Sequence, residues 1–515
     1  MRKVLLPLIA AIALLVLPGC DGHHRNIIVP ANPSGGNNAG FSNASLNGTY
    51  VFTVHGANFR NAANFAVTGN FVADGSGNIT GGVRDSVDDA GRRTLNEAIT
   101  GTYSVNQDGR GQAILNGNSG QVILRFVLES PASGKLFQIG TTSNSVRIDA
   151  VGTIELQTGS IATPTGAYVV RLDGEDSFLN TYGAVGRIVF TGSNINGLLD
   201  ENDGGFFSAN LVSTGTIALS SGRGAATLAA NGFVHHFVVY FVSPTKLELI
   251  STDTNFVLQG NAEFQSSFAA TAIAFAAAAP EQVFSLAGFD FSCPFSCPRA
   301  EVGRMTLSSA ATLLNAIEDI ENNLNPTYFA GVDFSGSTYS VGANGRWTAN
   351  LTNSSGAPSP DLVAWQISPQ RSVVLTSNND IVETGNMRAQ TLGLTTASVS
   401  GNFAEALSGF EVFFGANLEL TANLLFDGLG GMDGTLDLQD DSFGTNLDAA
   451  TSGTYSINPT SGRSTGGNID ASAPTTVIPA SGLPVVYYVV DSKTIYFLPT
   501  RAGSIYLGTL IGQTP

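Results

Sequence analysis

This chain is short of charge, histidine, cysteine and long apolar runs, and each shortage closes off a class of function. Of 515 residues 12% are charged, with 23 Lys and Arg against 40 Asp and Glu for a formal charge of -17. A nucleic-acid partner needs a basic footprint on its phosphates, so no nucleic acid is expected. Five histidines leave little general-base capacity, and no G-x-S-x-G, H-E-x-x-H or G-x-x-x-x-G-K-[ST] pattern occurs. Trp347 and Trp365 are the only tryptophans, too few for the clustered indoles of a glycan groove. The surviving enzymatic reading is a carboxylate pair across a cleft, as a glycosidase uses; the expectation is a protein that is not an enzyme. Helix formers are scarce too. Few Met, Lys or Glu beside 60 Gly and abundant Thr, Ser, Asn, Val and Phe describe strands joined by tight turns.

At the N-terminus Arg2 and Lys3 precede an apolar stretch from Val4 to Val16 that ends in "LPGC" at Cys20. The stretch is too short to span a bilayer and has the order of an export signal. Leu17, Gly19 and Cys20 resemble the lipobox of bacterial lipoproteins, with Pro18 a less usual occupant of its position. That resemblance implies a signal peptide over 1–19, lipidation of Cys20 and attachment to the cell envelope by two or three acyl chains, enough for a stable anchor. Asp21 resembles an inner-membrane retention signal of some enterobacterial lipoproteins, and inner or outer membrane stays open. With the cysteine, residues 20–44 are rich in Gly, Asn, Pro and Ser and read as a flexible tether. His23 and His24 in it lack the fixed surroundings of a metal site.

One segment then occurs four times. "GTYSVNQDGRGQAIL" from Gly101 returns as "GTIALSSGRGAATL" from Gly215, "STYSVGANGRWTANL" from Ser337 and "GTYSINPTSGRSTGG" from Gly453, each a strand, a turn and a strand. The turn arginines Arg110, Arg223, Arg346 and Arg463 recur about every 115 residues, long enough for each copy to be a domain. Each unit closes on G-x-x-x-x-Q, ending at Gln157, Gln265, Gln390 and Gln513. Three open on a Gly two residues before an aromatic: Gly48 and Tyr50, Gly166 and Tyr168, Gly401 and Phe403, while the third unit keeps only Phe284. The expected domains are 45–157, 165–265, 281–390 and 398–513, with an Ala-rich apolar linker over 266–280, a short helix or an extended strand packed between barrels, dividing them into two pairs and supplying any flexing.

About eight strands fit into the first unit, in meander order with hairpin connections. An all-β fold of four tandem antiparallel meander β-barrels follows, because closure removes exposed edges; β-sandwiches are the alternative. The units resemble avidin or lipocalin-type barrels, with Tyr or Phe where those families' first strand carries Trp. In the third unit Leu313, Ile317, Ile320 and Leu324 fall at helical spacing. Their place in the repeat matches strands elsewhere, and strands are expected.

The sites are mostly structural. Cys293 and Cys297 in an exported chain read as a disulfide, with a zinc half-site the rival. Adjacent His235 and His236 point to opposite faces of a strand, one lining and one surface, and His55 lies in another unit. No cofactor is expected, although the acidic turns at Asp200 and Asp437 have oxygens suited to calcium; turn chemistry is the stronger reading. The four arginines and four glutamines, recurring in every unit, read as fold residues, with each arginine pairing a turn carboxylate. The function that follows is a lipid-anchored envelope protein with a structural, spacer or adhesive role, meeting an envelope protein or polysaccharide. The alternative is a lipocalin-like carrier of a small apolar ligand in a barrel lumen.

Overall fold

The computed structural model describes residues 40–58, 63–139, 148–176, 178, 180–292, 297–322, 327–354, 356–357, 360–411, 416–440, 444–471 and 482–515. Cys20, His23, His24 and Cys293 lie outside the described residues. Barrel 1 runs through Asn47–Asn58, Ala63–Asp74, Asn78–Asp88, a fourth strand in two pieces (Arg93–Ala98 and Thr100–Val105), Arg110–Gly117, Gly120–Ser130, Ser133–Ile139 and Ile148–Leu156. Its first strand pairs antiparallel with both the second and the last, and the second with the third, which closes the sheet. Barrels 2 (166–264) and 4 (400–512) are closed eight-stranded meanders. Barrel 3 (281–389) is a nine-stranded sheet in which the isolated bridge Thr312–Thr338 links the end strand Thr338–Val341 to the residue before Leu313–Asn322. Sequential hydrogen bonding from first strand to last leaves no Greek-key crossover, so these are barrels and the sandwich alternative falls.

Eight strands are an even number, so each barrel returns the chain to the face where it entered. The inter-barrel linkers therefore share one face, the linker end, and hairpins such as 204–205 and 231–232 mark the opposite loop end. The glycine of the closing motif permits a close crossing with the barrel's own first strand. A Cβ on Gly260 would stand 2.0 Å from the Arg171 carbonyl oxygen, and one on Gly385 1.9 Å from that of Ser285.

Inward side chains fill the lumens: Phe52, Phe71 and Phe126 in barrel 1, Tyr168, Phe190 and Phe237 in barrel 2, Phe284 and Trp347 in barrel 3, Phe403 and Phe497 in barrel 4. The void in barrel 2 is about 20 Å³, room for a single water. That void leaves no room in barrel 2 for the small apolar ligand of the alternative carrier reading.

The tyrosine of the repeated segment closes the linker end. Tyr103 Oη donates to the Leu46 carbonyl at 2.7 Å, Tyr339 Oη to that of Ser308 at 2.7 Å and Tyr455 Oη to that of Val399 at 2.7 Å; barrel 2 has Ile217 instead. The Ala-rich linker is no hinge. It forms the helix Ala272–Ala278, capped by Thr271, and its buried Phe275 packs 6.0 Å from Trp347 at the linker end of barrel 3. The helical spacing in the third unit belongs to a strand, Leu313–Asn322. That strand buries both faces, Leu313 and Ala316 in its own lumen and Ile317 against barrel 4, and a bulge resets its alternation.

Glu405 shares the lumenal face of its strand with Phe403 and Leu407 and is only 1% exposed. Burial pushes its carboxyl up to about 8. A raised carboxyl keeps its proton in the fold where the unfolded chain has released it, so it lowers stability progressively as pH rises from about 4.5 through 8. Glu405→Gln is expected to raise the melting temperature at pH 8, gaining roughly 1–3 kcal/mol, and to change it little at pH 5. Calorimetry at both values checks this; equal shifts would contradict it.

Candidate functional site on the ring axis

The four barrels close into a ring through four joints of one design. In each barrel a fully buried aspartate sits at a bulge between the third and fourth strands: Asp85, Asp200, Asp319 and Asp437. Opposite it a residue in the left-handed region, Asn96, Asn210, Gly331 or Asp448, donates its N–H to the carboxylate at 2.7, 3.0, 2.9 and 2.8 Å. The next barrel then supplies its turn arginine. Arg223 takes Asp85 in a fork at 2.8 and 2.6 Å, Arg346 takes Asp200 at 2.9 and 2.8 Å, and Arg463 takes Asp319 at 2.6 and 2.7 Å. An aromatic cross-strand from each arginine adds a third donor: Tyr240 to Asp85, Trp365 Nε1 to Asp200 at 2.7 Å and Tyr488 to Asp319 at 2.5 Å.

The fourth joint joins barrel 4 back to barrel 1 and is built differently. Val127 stands where the other barrels have the aromatic. Arg125 on the same strand takes over, reaching Asp437 at 3.0 and 3.1 Å, while Arg110 bonds Asp448 at 2.7 Å and its own turn Asp108 at 2.9 Å. The closing glutamines repeat the cycle. Gln157 Nε2 donates to the Phe241 carbonyl, Gln265 to Gln366, Gln390 to Val489 and Gln513 to Leu128, at 2.6, 2.8, 2.8 and 2.7 Å. The arginines thus pair carboxylates of neighbouring barrels, Arg110 alone also holding one in its own turn. Asp200 and Asp437, weighed as calcium ligands, are occupied by arginine. An extended row with free ends is likewise not what folds, since barrel 4 meets barrel 1.

On the axis, the first and last strands of the barrels surround a cavity of about 500 Å³ lined by all four. His55 keeps accessible surface although protein lies on every side, because that surface opens on the cavity. Burial lowers its pKa, opposed by Asp173 and aided by Arg171, which pair with each other at 3.0 Å. Burial pushes Glu175 up to about 7 against the hydrogen bond it accepts from Asn64. Gln259, 8% exposed, also lines this region, its amide oxygen buried without a hydrogen-bond partner. Lys135 and Arg388 lie farther toward the linker end.

Elsewhere, His235 is buried against Phe256 with ring centroids 4.8 Å apart and is kept neutral by desolvation, while His236 is exposed and bonds Asp253 at 2.7 Å. Cys297 is buried and disulfide-bonded. Among the described residues no group of three or more His, Cys, Asp or Glu is arranged to hold a metal ion. Sequence reasoning missed Asp85 and Asp319 and the whole axial lining. For the aspartates a signal existed, an Asp some two dozen residues before each turn arginine; for the axis none did, because its residues share only an outward strand position.

Fold and site define a single-chain ring of four up-and-down β-barrels around an axial cavity. No protein-family model and no curated protein matches this chain. Among solved structures it is similar to transferrin binding protein B from serogroup B Neisseria meningitidis, with 9% identity over 74% of this chain and 83% of that one and a TM-score of 0.22. A double mutant of transferrin binding protein B from Haemophilus parasuis gives 12% identity over 75% and 82% at a TM-score of 0.19. TM-scores of this size do not describe a shared arrangement of domains.

Asp200→Ala would strip Arg346 and Trp365 of their acceptor in a buried joint. It is expected to cost roughly 2–4 kcal/mol and to lower the first calorimetric transition; an unchanged thermogram would remove the joint from the stability of the ring.

Proposed function

We propose that this chain is a lipid-anchored protein of the cell envelope, attached through Cys20 to the outer or inner membrane, whose barrels serve as a rigid, non-enzymatic binding platform. The observation that carries this is the closed ring. Filled lumens and four joints without a free end suit a fixed surface better than a spacer or a lumenal carrier.

The two ends of the ring then have different roles. The described chain begins at the linker end, where Gly40 and Phe41 donate to the Gln107 carbonyl at 3.0 and 3.1 Å. At the loop end of barrel 2, Phe178, Phe206 and Phe233 are 81%, 81% and 59% exposed. Large exposed apolar side chains at one end of a barrel are a feature of interaction surfaces. Phenylalanine has no hydrogen-bonding handle for sugar hydroxyls, so a protein with an apolar patch is the partner that fits, and an adhesive role follows.

In a native envelope, Cys20→Ser is expected to shift the protein from the membrane to the soluble fraction. A Phe178→Ser, Phe206→Ser, Phe233→Ser triple variant is expected to keep its melting temperature within a few degrees, since exposed side chains contribute little, and to lose its cross-linked partner. Identical cross-linked species from both proteins would refute the loop-end reading.

A further inference from the structure

Comparing the four joints shows where their charge pattern breaks. The fourth residue of the closing motif is Glu155, Glu263, Arg388 and Ile511 in turn, and the last two line the cavity. The penultimate strand of the following barrel opens with Lys246, Arg371 and Thr494, and that of barrel 1 with Ser133, Lys135 lying two residues further on. At the first two joints these positions form ion pairs, Lys246 with Glu155 and Arg371 with Glu263. At the third both partners change. Arg388 stands where its sisters have a carboxylate, and Thr494 stands where theirs have a cation.

Arg388 is left with a surplus charge. Its cross-strand neighbour is Arg371, already neutralised by Glu263, and it makes no ion pair among the described residues. Its Nε has no hydrogen-bond partner and is screened from solvent. Lys135 lies close by: the two cations together hold the Glu129 carboxyl below its usual range, with Lys135 paired to it at 3.3 Å. Two cations therefore share one carboxylate. The other carboxylates of the cavity do not relieve this, since Asp173 belongs to Arg171 and Glu175 lies six residues along the strands, roughly 20 Å away. Beside Arg388 the wall is apolar, formed by Leu507, Ile511 and Tyr496.

We infer that the axial cavity binds a small organic acid, its carboxylate on Arg388 with Lys135 and its apolar body against Leu507 and Ile511. A guanidinium with no ion-pair partner matches a carboxylate in charge and in geometry. The volume of about 500 Å³ lies in the range of small-molecule sites. This site is separate from the loop-end surface, and either can fail without the other.

The test is isothermal titration of the full exported chain carrying Cys20→Ser with octanoate, octanamide and inorganic phosphate. Octanoate is expected to bind and octanamide to bind at least tenfold more weakly. Arg388→Gln is expected to weaken octanoate at least about tenfold, the value of a charge-assisted hydrogen bond, with an unchanged melting temperature, because Ile511 shows that the fold accepts an uncharged residue here. Arg388→Lys should restore most of the affinity. Absence of octanoate binding, equal binding of octanamide, or indifference to Arg388→Gln would overturn the inference. Phosphate displacing octanoate at equal concentration would overturn it in favour of a site for any anion.

Discussion

A carboxylate with no access to water, placed on the outer wall of one barrel and completed by the next, is the constraint on which this structure depends. Asp85, Asp200, Asp319 and Asp437 are each fully buried, and an isolated buried carboxylate is costly. The bulge beneath each one supplies a single backbone N–H, which is not enough. Arginine and an aromatic hydroxyl or indole from the neighbour complete the shell at three joints, and two arginines do so at the fourth. Such groups contribute less to net stability than to selection among arrangements, since any packing that misaligns them leaves charges without partners. Apolar contact around them, such as Val238, Tyr240 and Val242 against Val51 and Ala66, adds the non-directional part.

Ring closure follows from repetition combined with an even strand count. Every barrel presents an aspartate on one side and an arginine on the other, a head-to-tail contact that either closes or continues indefinitely. Here it closes after four, and the last joint bears the marks. Its aromatic is replaced by Val127, Arg125 is recruited from the same strand, and its apolar cluster of Ile123, Phe137, Ile139, Val151 and Leu447 is smaller. Along the axis complementary charge is kept at two joints, Lys246 with Glu155 and Arg371 with Glu263, and is lost at the third, where Arg388 and Thr494 differ from their counterparts.

Much of the architecture was legible in the residues. Turn arginines, closing glutamines and meander spacing each point to repeated barrels, because local turn chemistry and strand alternation act over short distances. Other features are ambiguous in sequence for equally physical reasons. Asp200 and Asp437 have oxygens suited to calcium, and nothing nearby in sequence shows the arginine that pairs with each. Leu313 and Ile317 fall at helical spacing because their strand buries two faces and carries a bulge, and their place in the repeat was the better guide. The Ala-rich segment looks like a hinge until Phe275 is seen covering barrel 3.

By itself, then, the sequence determined the strand content, the four-unit period and the residues that would carry structural roles, all of which depend on propensity and on recurrence along the chain. Tertiary structure alone decided which barrel each arginine would meet, that the lumens would be filled, and that an aqueous cavity would form between barrels instead of within them. Those outcomes rest on contacts between residues more than a hundred positions apart, such as Arg346 with Asp200 and Gln513 with Leu128, and no local pattern encodes the geometry that brings them together.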